Sequence, residues 1–232
     1  MTQDEQDDLN EDLMRAAQVG AVRQVGELIG KGAQVDAANP LGVRPLHAAV
    51  FTGRREVVAL LIAHGAQVDA VDMSGNQPLH DAAVHGGRAV AEILIGKGAR
   101  VDTVNNFGLS PLHYAAQNGR KDVAEFLLRE GARVDVAAND GRTPLHDAAQ
   151  NGNKEMVEFL VGYGADPTAR NAGRKTPRDL CRDTETGKVL ESLERKWNDP
   201  ALREDLYRRN ALLVARRCQR RLGSLRKPAP GL

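Results

Sequence analysis

From Gly108 the chain reads GLSPLHYAAQNG, and from Gly141, 33 residues later, it reads GRTPLHDAAQNG. Prolines 45, 78, 111, 144 and 177 keep that spacing, and the first four open the tripeptide Pro-Leu-His, giving His47, His80, His113 and His146. Six residues after each histidine stands a glycine (Gly53, Gly86, Gly119, Gly152), and twelve further on another (Gly65, Gly98, Gly131, Gly164). A register that holds over so many copies defines a stacked-repeat protein. A unit this short cannot bury an apolar face alone, so each must lean on its neighbours.

Each unit reads as two short helices. In the unit from Gly141, Thr143 is placed to cap the first helix and Pro144 takes its N1 position, where a missing N–H costs nothing. That helix is expected to stop near Gly152. The second carries Met156, Val157, Leu160 and Val161 at a 3.6-residue period, with Phe159 beside them, and Gly164 supplies a left-handed C-cap. Val57, Val58, Leu60, Leu61 and Ile62 hold the same sites in one unit, and Val123, Phe126, Leu127 and Leu128 in another. The pairs Ala82-Ala83, Ala115-Ala116 and Ala148-Ala149 let helices approach closely. Aromatics make up only 3% of the chain, so the core must be aliphatic.

The G-x-[ST]-P-L-H-x-A-A signature at this period resembles the ankyrin repeat, over roughly residues 9–195. The resemblance implies an all-α solenoid of L-shaped units, paired helices with a β-hairpin-like turn projecting sideways. It also implies that the histidines are structural, bridging the backbones of adjacent turns. Six repeats are counted, near 9–41, 42–74, 75–107, 108–140, 141–173 and 174–195. The outer two are degenerate. The first has DLMRAAQVG without Pro or His, and the last replaces Leu-His with Arg178-Asp179. Glu27 and Ser192 stand where the internal units have Leu60, Ile93, Phe126 and Phe159, as capping repeats require. Residues 1–8 are set apart as an acidic leader, 196–200 as a linker, 201–225 as a basic amphipathic helix and 226–232 as a flexible tail.

Charge is divided unevenly. Residues 201–232 hold nine Lys and Arg against two acids, a net of +7 in a chain of net +1, which leaves −6 for the rest. In the basic segment Tyr207, Ala211, Val214, Cys218, Leu222 and Leu225 recur at helical spacing, with Arg216, Arg217, Arg220 and Arg221 falling mostly on other faces. Such a helix can pack on the last repeat, meet a protein partner, or bind nucleic acid, anionic membrane or a calmodulin-like groove. The N-terminus is acidic with no apolar h-region, and no apolar run is long enough to span a bilayer. Two cysteines, Cys181 and Cys218, make no disulfide framework. An intracellular protein, cytoplasmic or nuclear and monomeric on its own, is expected.

Nothing in the chain points to catalysis. No HExxH, Walker-A loop, GxGxxG or GxSxG occurs, and no carboxylate or Cys stands at ligand spacing around the repeated histidines. No cofactor and no metal are therefore expected. The function expected is non-enzymatic: a scaffold or adaptor that holds another protein in the concave groove and on the turn tips. The rival is a targeting protein whose Arg-rich helix does the binding. The positions the framework leaves free predict the site: Leu41, Val43, Met73, Asn76, Asn106, Phe107, Leu109 and Arg142 on the tips, and Phe51, Val84, His85, Gln117, Asn118 and Gln150 at the ends of the first helices. Their apolar members are read as an exposed patch anchored by Phe51 and Phe107, with Asp140 and Arg142 as its polar rim. For the basic segment the residues are Tyr207, Val214, Arg216, Arg217, Arg220, Arg221 and Leu222.

Overall fold

The structure, a computed structural model, describes residues 2–204, and these are helical throughout with no strand among them. Helices come in pairs, one pair to a unit: α1 (Gln3–Val19) with α2 (Val22–Gly30), α3 (Pro45–Phe51) with α4 (Arg55–Ala63), α5 (Pro78–Asp81) with α6 (Gly87–Gly96), α7 (Pro111–Gln117) with α8 (Lys121–Arg129), α9 (Pro144–Gln150) with α10 (Lys154–Gly162), and α11 (Pro177–Leu180) with α12 (Thr184–Trp197). The leucine of each Pro-Leu-His is fully buried, as are Leu61, Leu94, Leu127 and Leu160 from the second helices. One continuous aliphatic core runs from Leu13 to Trp197. First helices pack on first helices more closely than second helices pack on second helices. The alanine pairs, all buried, allow that approach.

In the four Pro-Leu-His units the histidine, at N3, supplies the return half of a capping box to the residue before proline. Thr143 makes no side-chain bond to the helix amides. Its N–H donates instead to Nδ1 of His146 at 3.1 Å, and its hydroxyl lies 2.9 Å from the same atom. Ser110 and His113 repeat the arrangement at 3.0 and 2.9 Å. The physical reason is that an imidazole at N3 reaches back to the amide of the N-cap, the return half of a capping box. Because Nδ1 accepts from an N–H, the proton sits on Nε2. That nitrogen points to a carbonyl of the following turn: His47 to Asn76, His80 to Leu109, His113 to Arg142 and His146 to Lys175, at 3.1–3.3 Å. In the last unit, where no turn follows, Asp179 stands in the histidine's place. It accepts from Thr176 N–H at 2.9 Å, and Thr176 does cap α11.

Three boundaries differ from the sequence expectation. Residues 3–8, set apart as a leader, are the first turns of α1. A capping box between Thr2 and Glu5 starts this helix, and its early acids suit the helix dipole. In the third unit the left-handed residue is Gly87 (φ 72°), not Gly86, and Ala82–Gly86 form a single π-helical turn. Two adjacent glycines offer two places for that conformation, where the other units have Arg54, Arg120 or Asn153 second. At the end, residues 196 and 197 continue α12, with Trp197 buried. A new helix starts at Pro200, capped by Asp199, whose carboxylate accepts from Ala201 N–H at 3.0 Å. Nearly all of the basic segment lies outside the described residues.

Candidate protein-binding face

Between units the chain turns through a tip closed by two backbone bonds, such as Asn105 N–H to Leu109 O at 3.0 Å and Gly108 N–H to Asn105 O at 2.9 Å, with a left-handed glycine at its apex. Neighbouring tips are joined by backbone bonds, Met73 N–H to Leu41 O, Asn106 N–H to Ser74 O and Asn139 N–H to Phe107 O, all 2.9–3.0 Å, and by the side-chain amides of Asn106 and Asn139. They approach so closely that a Cβ on Gly108 would lie 2.7 Å from Asn139 N. The tips therefore form a stiff ladder, and its side chains are held at fixed spacing along one edge of the stack.

That ladder presents apolar side chains to water. Leu41 is 63%, Met73 68% and Phe107 59% exposed, and Phe51, at the end of α3, is 50% exposed. Phe51 reaches toward the next unit, its ring 4.2 Å from that of His85. Phe107 and Leu109 line a shallow recess with Ala138, Asn139, Asp140 and Arg142. Val43, Val84 and Leu109 are half-buried, and Gln117 and Asn118 are exposed, Asn118 donating to its own helix at Tyr114 O.

Several of the expected contact residues are tied into the frame. Arg142 binds Asp140 at 2.7 Å, Asp147 at 2.9 Å and Gln150 at 3.2 Å. Asn76 accepts from Asn105 at 2.8 Å and from the Tyr114 hydroxyl at 3.2 Å while donating to Asp72 at 3.2 Å. Asn106 donates to Met73 O at 3.1 Å. These side chains position the face more than they offer free valences. The tail residues Tyr207, Val214, Arg216, Arg217, Arg220, Arg221 and Leu222 lie outside the described residues.

Sequence reading assigns no role to the residue after each Pro-Leu-His, Ala48, Asp81, Tyr114 and Asp147, the spacing of Asp81 and His85 being one that chance often gives. That residue lies one helical turn before Phe51, Val84, Gln117 and Gln150 and so shares their face, which the spacing alone could have shown. Asp147 is buried, and burial raises its carboxyl to about 6 even though Arg142 opposes the shift. Asp81 is raised further, to about 7, by burial and then by the charge of Asp72. It accepts no hydrogen bond and meets no cation among the described residues. The repeated histidines are shifted the other way. Burial pulls His80 and His113 down to about 4 against the pull of their carbonyl partners, and lowers His47 and His146 as well. They are neutral frame members at physiological pH. Among the described residues no three His, Cys, Asp or Glu side chains gather as a metal site would need, and no helix is long and apolar enough to cross a membrane.

A search of curated proteins finds no match. A family model described as ankyrin repeats (3 copies) matches residues 13–105 and 89–171. With the paired helices, the glycine-apexed tips and the bridging histidines, that match over most of the stack shows that the chain belongs to the ankyrin-repeat family.

Proposed function

We propose that this chain is a non-enzymatic scaffold or adaptor that holds a partner protein on its first-helix face and turn tips. Ankyrin repeats are generally protein–protein interaction modules. The observation that carries the reading here is the row of exposed apolar side chains, Leu41, Met73 and Phe107 fixed on a rigid ladder, with Phe51 at the end of α3. A tip has water for a neighbour, so large apolar residues on three successive units have no folding reason to be there. A clustered patch of this kind marks an interaction site. Phe51 and Phe107 are its anchors, since a rigid aromatic that becomes fully covered contributes about 2 kcal/mol or more. The fourth tip, with Asp140 and Arg142 locked together, is the polar edge.

Affinity capture from cell extract with the full chain, then titration of the captured protein, tests this. Phe51→Ala and Phe107→Ala should each weaken binding about tenfold or more, with the melting temperature nearly unchanged because both rings are half or more in water. Normal binding by both variants, or their unfolding, would remove this face as the site.

A further inference from the structure

Asp81 and Asp147 hold the same place in their units, yet only one of them has a cation. Arg142 reaches Asp147 from the preceding tip at 2.9 Å. The matching position in the unit of Asp81 is Asn76, whose amide is already bound to Asp72, Asn105 and Tyr114. The charged residues of the elements packed around Asp81 do not help. Asp72 is anionic, and His80 faces away toward Leu109 O. The structure thus holds a half-buried carboxylate lacking the partner that its buried repeat mate has. Within one or two units of it stand the exposed Phe51, Met73 and Phe107. An occupant that suits both features carries a cation next to an apolar stripe.

Such a segment follows the last described helix. Residues 205–232 have eight Lys and Arg against one acid, net +7, while residues 1–204 carry −6. On a helical period the stripe of Tyr207, Val214, Cys218 and Leu222 is flanked on one side by Arg217 and Arg221, whereas Arg216 and Arg220 fall opposite to it. The chain leaves α12 at the end from which the other second helices lead into tips. Three unit steps separate the last unit from that of Asp81, about 30 Å at 8–10 Å between packed helices. The 28 residues from 205 to 232 span about 42 Å as a helix. At 8–10 Å per step and 1.5 Å per residue, a helical segment would pass the unit of Asp81 about 16–20 residues along, a span that includes Arg221.

We propose that the Arg-rich segment of this chain lies in cis along its own first-helix face, its apolar stripe against Phe107 and Phe51 and Arg221 on Asp81, supplying the cation that Arg142 supplies to Asp147. The docking stands on charge, reach and the unpaired carboxylate. Its consequence, that a partner must displace the segment, rests on the reading of this face as the partner site.

The test uses the full chain with Cys181→Ser, Cys218→Ser and Gln219→Cys carrying a nitroxide. Docking in cis broadens the amide signals of Phe51, Asp81 and His85, and the loss persists on dilution. Arg217→Glu with Arg221→Glu restores those signals, Arg216→Glu with Arg220→Glu does not, and Asp81→Arg added to the first pair brings the broadening back. Asp81→Asn, the milder change, weakens it. The proposal fails if the signals stay sharp, if only α12 residues such as Leu190 broaden, if broadening fades on dilution as for a second copy, or if both arginine pairs act alike. Partner titration of Phe51→Ala is read separately. Docking without a binding defect there sinks the partner site and leaves the docking, and the reverse result does the opposite.

Discussion

Replacing His113 with Ala tests what joins one unit to the next. The ring is 1% exposed. Nδ1 accepts from the Ser110 N–H at 3.0 Å and lies 2.9 Å from its hydroxyl, while Nε2 donates to Arg142 O at 3.1 Å. Alanine leaves the Ser110 amide without a partner and the Arg142 carbonyl with only the Ala138 N–H, at 2.8 Å. An orphaned buried amide costs about 1–3 kcal/mol and the lost bond to the carbonyl about 1 kcal/mol, so the change should cost about 2–4 kcal/mol. For a chain of this size that lowers the melting temperature by about 8 °C. A second signature separates this from a simple cavity. Burial holds the folded-state pKa of His113 at about 4, below its unfolded value of 6.5. As pH falls through 6.5 the unfolded chain takes up the proton first, so this contribution is intact above 6.5 and is lost toward pH 4. At pH 5 the wild type should have lost about 2 kcal/mol through this residue, a loss His113→Ala cannot suffer. Urea unfolding at pH 7.5 and pH 5 measures both effects. If the variant matched wild type at pH 7.5, or kept the same difference between the two pH values, the bridging role would be refuted.

A chain ended at Gly173 loses Leu190 and Trp197 and bares the α9–α10 face, with each uncovered large side chain costing about 1.5–3 kcal/mol. It should melt well below a chain ended at Asp199, and equal melts would remove the last unit's standing as a cap. Gly108→Ala combines a positive φ of 74° with a Cβ 2.7 Å from Asn139 N, so it should destabilise by about 1–3 kcal/mol, and a neutral result by denaturant titration would contradict the close packing of the tips. Arg174 (φ 58°) is the one non-glycine residue of positive φ among the described residues, and Arg174→Gly should raise stability by about 0.5–1 kcal/mol, an effect that calorimetry would show absent if the final tip relaxes out of that conformation.

The repeat architecture was legible because its signals are local or periodic. Pro at N1, glycine after each helix, and leucine and valine at a 3.6-residue spacing act within a few residues of themselves, and the fixed 33-residue register carries them from unit to unit. Exposure of Leu41, Met73, Phe107 and Phe51 was legible too, since the framework does not cover those positions. What the tertiary structure alone decided is which polar groups pair, both within a unit and between units some 29 positions apart. The order of residues does not show that Thr143 hands its amide to His146, or that His146 then reaches Lys175. Nor does it show that Asn76 is held by Asn105 and Tyr114, that Arg142 is clamped by Asp140 and Asp147, or that Asp81 is left alone. Periodicity says which face a side chain occupies, because backbone geometry repeats. Hydrogen bonds and ion pairs need distances near 3 Å and the right donor on the neighbouring unit, and those are set only when the units stack.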